Sequence, residues 1–118
     1  MITPLEAQRF AEQWIDAWNR HDLDSILDLY SEEIDFSSPF AAKLLGAADG
    51  RIQGRVALRE FFSIGLAAYP DLQLKLRCVA LGVGGITLIC DSVRGLVAAH
   101  TMILDPEFKI TQAFAHYA

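Results

Sequence analysis

From Leu72 onward the sequence is a succession of strand patterns separated by short turns, and no other feature limits the choice of fold as strongly. In residues 72–81, LQLKLRCVAL, apolar and polar side chains alternate as far as Cys78. The segments GITLICDSVRG, LVAAHTMIL and ITQAFAHY follow, and the turn signals between them are Arg94-Gly95 and DPEFK, with Pro106 at its first central position. Alternation with a period of two and short turns predict a four-stranded antiparallel meander.

Helical patterns dominate the sequence before this meander. Residues 3–19, TPLEAQRFAEQWIDAWN, start with the capping pair Thr3 and Glu6 and then carry an aromatic residue at every fourth position. A shorter helix is predicted in residues 22–30, DLDSILDLY, where an aspartate can cap the first turn. A third helix is predicted in residues 55–70, RVALREFFSIGLAAYP, which a proline ends.

Between the second and third helices, the segment EEIDFSSPF predicts a strand that ends at Pro39. Residues 40–54 carry three glycines and no clear period, so we expect a long loop over the surface or over the mouth of a cavity. The predicted order is helix, helix, strand, helix and a four-stranded meander. Such segregation indicates a single α+β domain over residues 1–118, with its helices on one face of a curved sheet.

Composition narrows the classes of function. Hydrophobic residues make up 53% of the 118 residues, more than a small monomer easily buries, which indicates an apolar cavity, an oligomer interface or both. The net charge of -5 and the lack of a basic run argue against nucleic-acid binding. The apolar runs are too short to span a membrane, and the N-terminal residues do not resemble a secretion signal.

The cysteines and the absent motifs give no indication of a metal or a cofactor. Cys78 and Cys90 form no CxxC pair and have no histidine ligand pattern nearby, so we expect no zinc site and the reduced thiols of a cytoplasmic protein. The sequence contains no HExxH, GxSxG, GxGxxG or Walker-type pattern. Neither a cofactor nor a metal is expected.

Three segments, WNRHDLDSIL, GRVALREFF and ILDPEFKITQAFAHY, carry a family resemblance that extends over essentially the whole chain. The chain resembles the nuclear transport factor 2-like superfamily, and within it the SnoaL-like (polyketide cyclase-like) and ketosteroid isomerase-like branches. The resemblance implies a cone-shaped α+β barrel, in which a bent sheet wraps around the long first helix and encloses an apolar pocket. It also implies a homodimer formed through the outer face of the sheet.

In the isomerase branch a tyrosine on the first helix, a carboxylate before a proline and a protonated aspartate on the penultimate strand perform the reaction. The matching positions here hold Trp14, Ser38 and His100. Trp14 donates only through its indole N–H, Ser38 is too weak a base to take a carbon-bound proton unaided, and His100 is not an acid held neutral. Steroid isomerisation by the usual mechanism is therefore not expected.

Strand parity suggests another pair of catalytic residues. If Arg94-Gly95 is a two-residue turn, Asp91 opposes Ala98 and Ile89 opposes His100, so that Asp91 and His100 lie diagonally on one face. A carboxylate beside an imidazole can orient it and support its charged form, as a general acid/base pair requires. The alternatives are a structural Asp–His bridge and two residues that face a dimer surface. A register slip of one residue would separate the pair.

On the last strand His116 and Tyr117 alternate, and the sequence leaves both orientations open. Counting through a three-residue loop pairs His116 with His100, whereas the resemblance favours Tyr117 as the inward aromatic residue. Strict alternation directs Asp35 away from the cavity if Ser38 faces it. The remaining residues predicted to form the pocket wall or core are Tyr30, Phe40, Phe62, Leu66 and Met102.

Two hypotheses on function follow. The first is a cofactor-free acid/base enzyme of isomerase, cyclase or hydrolase type that acts on a small hydrophobic carbonyl compound. Its catalytic residues would be His100 and Asp91, and Trp14, Ser38 and Tyr117 would position the substrate. The second is a non-catalytic module of the same fold, which binds a small ligand or serves in dimerisation.

Overall fold

Four helices pack against one curved six-stranded sheet, which confirms the predicted α+β cone. The structure, a computed structural model, describes all residues from 1 to 118. The helices are α1 (Pro4–Asn19), α2 (Leu23–Leu27), α3 (Pro39–Leu45) and α4 (Arg55–Ala68). The strands are β1 (Tyr30–Ser37), β2 (Arg51–Gln53), β3 (Lys75–Leu81), β4 (Gly85–Asp91), β5 (Val97–Leu104) and β6 (Ile110–Tyr117). No helix is both long and apolar enough to cross a membrane.

The strand order is β2-β1-β6-β5-β4-β3, and the predicted meander from β3 to β6 is antiparallel throughout. β1 joins this meander by pairing in parallel with β6, and β2 pairs antiparallel with the outer edge of β1. The strand from the N-terminal half therefore becomes part of the same sheet as the C-terminal meander. This arrangement lets the sheet curve around the helices.

Helix α1 starts with the predicted capping box. The Thr3 side chain accepts a hydrogen bond from the Glu6 backbone N–H at 3.2 Å, and the Glu6 carboxylate accepts one from the Thr3 N–H at 3.0 Å. At its other end the Asn19 side chain binds the Leu74 backbone N–H at 2.6 Å and the Leu74 carbonyl at 2.9 Å. These two bonds fix the chain that enters β3 to the end of α1. The buried face consists of Ala7, Phe10, Ala11, Trp14 and Ala17.

The expectation of a continuous loop in residues 40–54 is wrong, because this segment contains most of α3 and all of β2. Ser38 caps α3 by accepting a hydrogen bond from the Phe40 N–H at 3.1 Å, and Pro39 occupies the first helical turn. Gly46 ends the helix in the left-handed region, with φ of 70°. Ser38-Pro39 thus repeats the cap-plus-proline pattern of Thr3-Pro4, and Pro39 begins a helix as well as following the predicted strand.

The expected two-residue turn at Arg94-Gly95 is also wrong. Residues 92–96 connect β4 to β5 through a short 3₁₀ turn, in which Arg94 takes a left-handed conformation with φ of 58°. The paired residues are therefore Asp91 with Val97 and Leu88 with His100. The register differs by one residue from the one predicted, and this difference reverses the relation between the faces of Asp91 and His100.

The start of β4 offers a test of the close pairing between β4 and β5. A methyl group added at Gly85 would overlap the backbone carbonyl oxygen of Met102, whereas one at Gly84 would meet open space. We expect Gly85→Ala to lower the free energy of unfolding by about 2 kcal/mol, because the strands must separate locally. Gly84→Ala is the matched control and should change it by less than about 0.5 kcal/mol. Equal midpoints of chemical denaturation for the two variants would contradict this packing.

Candidate functional site

A cavity of about 90 Å³ lies between helices α1, α3 and α4 and the concave face of the sheet. One water molecule needs roughly 10–15 Å³ on the same measure, so the cavity has room for several waters or for a small organic molecule. Of its 17 lining residues, 13 are hydrophobic. The lining contains no aspartate, glutamate, lysine, arginine or cysteine, and its titratable groups are one histidine and three tyrosines.

His100 lies in the wall of this cavity, on β5. The centroid of its ring is 4.8 Å from the nearest ring centroid of Trp14 and 6.1 Å from that of Tyr117. No protein group forms a hydrogen bond with the ring, and its partly exposed surface lies along the cavity. Burial lowers the pKa of His100 to about 4, and the nearby His116 adds to this effect. The imidazole is therefore neutral at pH 7 and can both donate and accept a hydrogen bond.

Ser38 and Tyr117 lie in the wall with His100. Ser38 is only 4% exposed, and its hydroxyl oxygen already accepts the capping hydrogen bond from Phe40. Burial raises the pKa of Tyr117 to about 12, an effect that hydrogen bonding to Ser38 partly offsets. Tyr117 therefore remains a neutral phenol and a hydrogen-bond donor at pH 7. Neither a histidine nor a carboxylate forms the hydrogen bond with Ser38 that activation of a serine nucleophile requires.

Trp14 contributes its ring to the wall, but its only hydrogen-bond donor already has a partner. The Trp14 Nε1–H donates to the Tyr30 hydroxyl oxygen at 3.1 Å, in a buried hydrogen bond. The aromatic ring of Phe62 packs against Tyr30, with centroids 5.4 Å apart, and against Trp18, with centroids 4.7 Å apart. Trp14 is therefore held by Tyr30. Its indole N–H is not free to donate to a ligand, whereas the resemblance had implied a donor at this position.

The structure separates Asp91 from His100, so the predicted acid/base pair is wrong. His100 shares the inward face of the sheet with the buried Leu88, whereas Asp91 lies on the outer face opposite Val97. The Asp91 carboxylate is paired with Arg77, with a shortest N–O distance of 2.7 Å. The cause is the longer turn between β4 and β5, which shifts the register by one residue.

The last strand directs Tyr117 inward and His116 outward. His116 is exposed and opposes Ala99, so the count that paired it with His100 is wrong. Among the remaining predicted wall residues, Tyr30, Phe40 and Phe62 line the cavity. Met102 and Leu66 do not, since Met102 is 1% exposed within the core and Leu66 packs against that core.

Asp35 also lies away from the cavity, as strict alternation indicated. Its carboxylate receives two hydrogen bonds from the Arg51 guanidinium, at 3.0 and 3.1 Å. No group of three or more histidine, cysteine, aspartate or glutamate side chains is placed to hold a metal ion.

Several cavity residues were not predicted as part of a site. Trp18 follows Trp14 by one helical turn and therefore shares its face, a signal that was present in the sequence. Leu44 could not be placed without recognising α3. Other lining residues are supplied by the segments before β3 and after β4, namely Tyr69, Leu72, Ser92 and Val93.

The cone fold with a cavity against its first helix is the arrangement that the resemblance implied. A model of the SnoaL-like domain matches residues 11–112, and the chain belongs to this family. A SnoaL-like protein of unknown function from Burkholderia thailandensis E264 has a structure similar to the whole chain. Its sequence is 33% identical and the TM-score is 0.94, with 99% of this chain and 98% of that one covered.

More distant structures share the fold. A protein from Kribbella flavida, described as a putative ketosteroid isomerase, is 16% identical with a TM-score of 0.73, and covers 95% of this chain and 77% of its own. SalBIII, an epoxide hydrolase/cyclase-like enzyme of pyran ring formation in polyether salinomycin, is also 16% identical. Its TM-score is 0.79, with 100% of this chain and 95% of its own covered. A search of curated protein sequences finds no match.

The buried neutral His100 makes stability depend on pH. Its folded pKa of about 4 lies below the value of about 6.5 expected in the unfolded chain, so protons bind preferentially to the unfolded state between these pH values. The stabilisation is complete above about pH 6.5, and up to about 3 kcal/mol is lost as the pH falls towards 4. Chemical denaturation of wild type and His100→Phe across this window measures the difference.

We expect the His100→Phe variant to lose much less stability over this pH range, because phenylalanine does not titrate. The exposed His116→Gln variant serves as the control and should retain most of the wild-type pH dependence. Identical profiles for wild type and His100→Phe would show that His100 titrates normally in the folded protein.

Proposed function

We propose that the protein binds a small, neutral, hydrophobic carbonyl compound in the cavity of the cone. The observation that carries this proposal is the cavity lining, which is mostly apolar but includes a few neutral polar groups at fixed positions. Ligand sites commonly combine an apolar wall with a few polar groups that orient the ligand. This combination supports ligand binding more directly than it supports any particular reaction.

The electrostatics of the cavity favour a neutral ligand. Its lining provides no cation to pair with a buried carboxylate and no anion to pair with a buried amine. Burying an ionised group without a partner is strongly unfavourable, so charged compounds should bind weakly. Phenol, hydroxyl and indole groups can instead donate hydrogen bonds to a neutral oxygen.

The second candidate function is cofactor-free proton transfer on such a compound, of isomerase, cyclase or hydrolase type. The observation that favours it is the neutral His100 imidazole, which faces the cavity without a protein partner. Two structures with the same fold are described as a putative ketosteroid isomerase and an epoxide hydrolase/cyclase-like enzyme. The low pKa makes His100 a weak base, and no carboxylate lies in the cavity to assist it. We therefore rank catalysis second.

Ligand binding can be tested by filling the cavity. Gly65 lies in its wall with open space beside it, whereas Ala67 on the same helix is exposed. Quenching of Trp14 and Trp18 fluorescence by cyclohexanone, acetophenone and 2-acetylnaphthalene would measure binding. We expect at least one ketone to bind, and Gly65→Leu to weaken it about tenfold or more by occupying the same space.

The control variant Ala67→Leu should bind the ketones as the wild type does, and benzoate should not compete with them. Equal affinity in Gly65→Leu and Ala67→Leu would place binding outside the cavity. The same samples in D₂O test the second candidate, because proton transfer next to the carbonyl exchanges hydrogen for deuterium. Exchange that exceeds the buffer rate and disappears in His100→Phe would support catalysis, and exchange at the buffer rate would oppose it.

We also propose that the protein forms a homodimer through the outer face of β4, β5 and β6, and that it works in the cytoplasm. Phe114 of β6 is 38% exposed on this face, and Ile103 of β5 and Ile89 of β4 are partly exposed on it. Apolar side chains that are exposed on one sheet face in this way favour association with a second copy. The free thiols of Cys78 and Cys90 are compatible with a reducing compartment.

The dimer can be tested by sedimentation. We expect the wild type to sediment as a dimer and Phe114→Asp to sediment as a monomer, because a carboxylate would have to be buried without a partner. The control is Leu81→Asp, which changes an exposed leucine on the edge strand β3 and should leave the dimer intact. A monomeric wild type, or a dimeric Phe114→Asp, would overturn the proposed interface.

A further inference from the structure

Trp18 has a hydrogen-bond donor that the protein leaves without a partner. Its Nε1 atom is buried and forms no hydrogen bond, and it is the only buried side-chain nitrogen or oxygen in the chain with this property. Leaving a buried donor unpaired costs about 1–3 kcal/mol, so such a group calls for an explanation. Trp18 lies in the wall of the cavity, where a bound molecule could supply the missing acceptor.

The Tyr30 hydroxyl, which also belongs to the cavity wall, is a second donor without an acceptor. Its oxygen accepts the hydrogen bond from Trp14, and no protein group accepts its proton. Burial raises the pKa of Tyr30 well above its usual value, so the hydroxyl keeps its proton at neutral pH. The rings of Tyr30 and Trp18 both pack against Phe62, with centroids 5.4 and 4.7 Å away, which places the two donors on neighbouring side chains.

We propose that Tyr30 Oη–H and Trp18 Nε1–H together bind the carbonyl oxygen of the ligand. One carbonyl oxygen has two lone pairs and can accept both hydrogen bonds, which satisfies both donors at once. Trp14 is a positioning residue in this arrangement, because its indole N–H occupies a lone pair of the Tyr30 oxygen. The Tyr30 proton is thereby left for an outside acceptor.

This subsite rests on the proposed ligand-binding function and assigns the orientation of the ligand. The Trp14 ring packs against both Trp18 and His100, with ring centroids 5.9 Å and 4.8 Å away. The oxygen would bind at the α1 side of the cavity, and the carbon skeleton would extend along Trp14 towards His100. Because Nε1 is closed off from water, the surrounding rings must shift slightly on binding, as side chains commonly do.

A site built only from donors selects one class of oxygen. Ketones, aldehydes and esters present an acceptor and no proton, so they match two donors, whereas a hydrocarbon leaves both donors unpaired. Sites that hydrogen-bond a polar group discriminate strongly against an analogue that lacks it. A carboxylate would match the donors but lacks a cation in the lining to balance its charge.

Acetophenone and α-methylstyrene are suitable probes, because they have nearly the same shape and differ in a C=O against a C=CH₂ group. Their affinities for the full-length protein would be measured by tryptophan fluorescence and checked by calorimetry. The carbonyl stretching band of bound acetophenone reports hydrogen bonding directly, since donors lower its frequency. The variants are Tyr30→Phe and Trp18→Phe, each of which removes one donor and keeps an aromatic ring.

In the wild type we expect acetophenone to bind more tightly than α-methylstyrene and to show a lowered carbonyl frequency. Each variant should weaken acetophenone binding about three- to tenfold, leave α-methylstyrene binding unchanged or improved, and shift the band back towards its value in hydrocarbon. Trp14→Phe should give an intermediate band position. The control is His116→Gln, which changes an exposed ring on the outer face of the sheet and should change neither the preference nor the band.

The outcomes separate the subsite from the proposed function. Binding of neither probe would overturn ligand binding and the subsite together. Equal binding of both probes to wild type and variants, with an unshifted band, would overturn the subsite and leave ligand binding in place. Should Tyr30→Phe fail to fold, Trp18→Phe decides the question, because Trp18 is only partly buried and already lacks a hydrogen bond to lose.

Discussion

The parallel pairing of β1 with β6 is the constraint on which the rest of the structure depends. It pairs Tyr30 with Ile110 and Phe36 with Ala113, and so joins the strand between the helices to the far end of the meander. Without it the helical half and the meander would share no sheet. With it, cavity residues from β1 and β6 lie in one concave surface that faces α1 and α4.

The concave surface has a consistent electrostatic character. Charged side chains along the strands lie on the outer face or at the edges, where Arg77 pairs with Asp91 and Arg51 with Asp35. The interior holds phenols, indoles and a neutral imidazole, all of which are donors at neutral pH. A cavity of this kind offers hydrogen-bond donors and no formal charge.

Much of the fold could be predicted from the sequence, because the capping box, the helical aromatic repeat and the strand alternation are local patterns. The register of β4 and β5 could not be predicted, because it depends on how residues 92–96 bend. Arg94 adopts a left-handed conformation there, which is uncommon for an arginine. The same limit applied to the site. His100 was placed in the wall through the resemblance, whereas its assumed partner Asp91 depended on an exact count across the turn.

The hydrogen bond between Trp14 and Tyr30, and the unpaired N–H of Trp18, were beyond prediction for a different reason. The helical repeat places Trp14 and Trp18 on one face of α1. Which indole finds an acceptor depends on the position of β1, a strand that is separated from α1 by another helix. The distance between Trp14 Nε1 and the Tyr30 hydroxyl is a tertiary property. The buried donor of Trp18 likewise becomes visible only when every neighbouring oxygen has been placed.

Ser38 has a consequence for how this scaffold can change. Its hydroxyl caps α3 while its side chain lies in the cavity wall, so helix stability and cavity chemistry depend on the same atom. Aspartate is as good an N-cap as serine, and it would bring a carboxylate to the wall without removing the cap. An ancestor or descendant of this chain could therefore gain or lose a general base by a single substitution, while the helix and the cone persisted. In this fold, a cavity with a general base and a cavity without one can differ by a single residue.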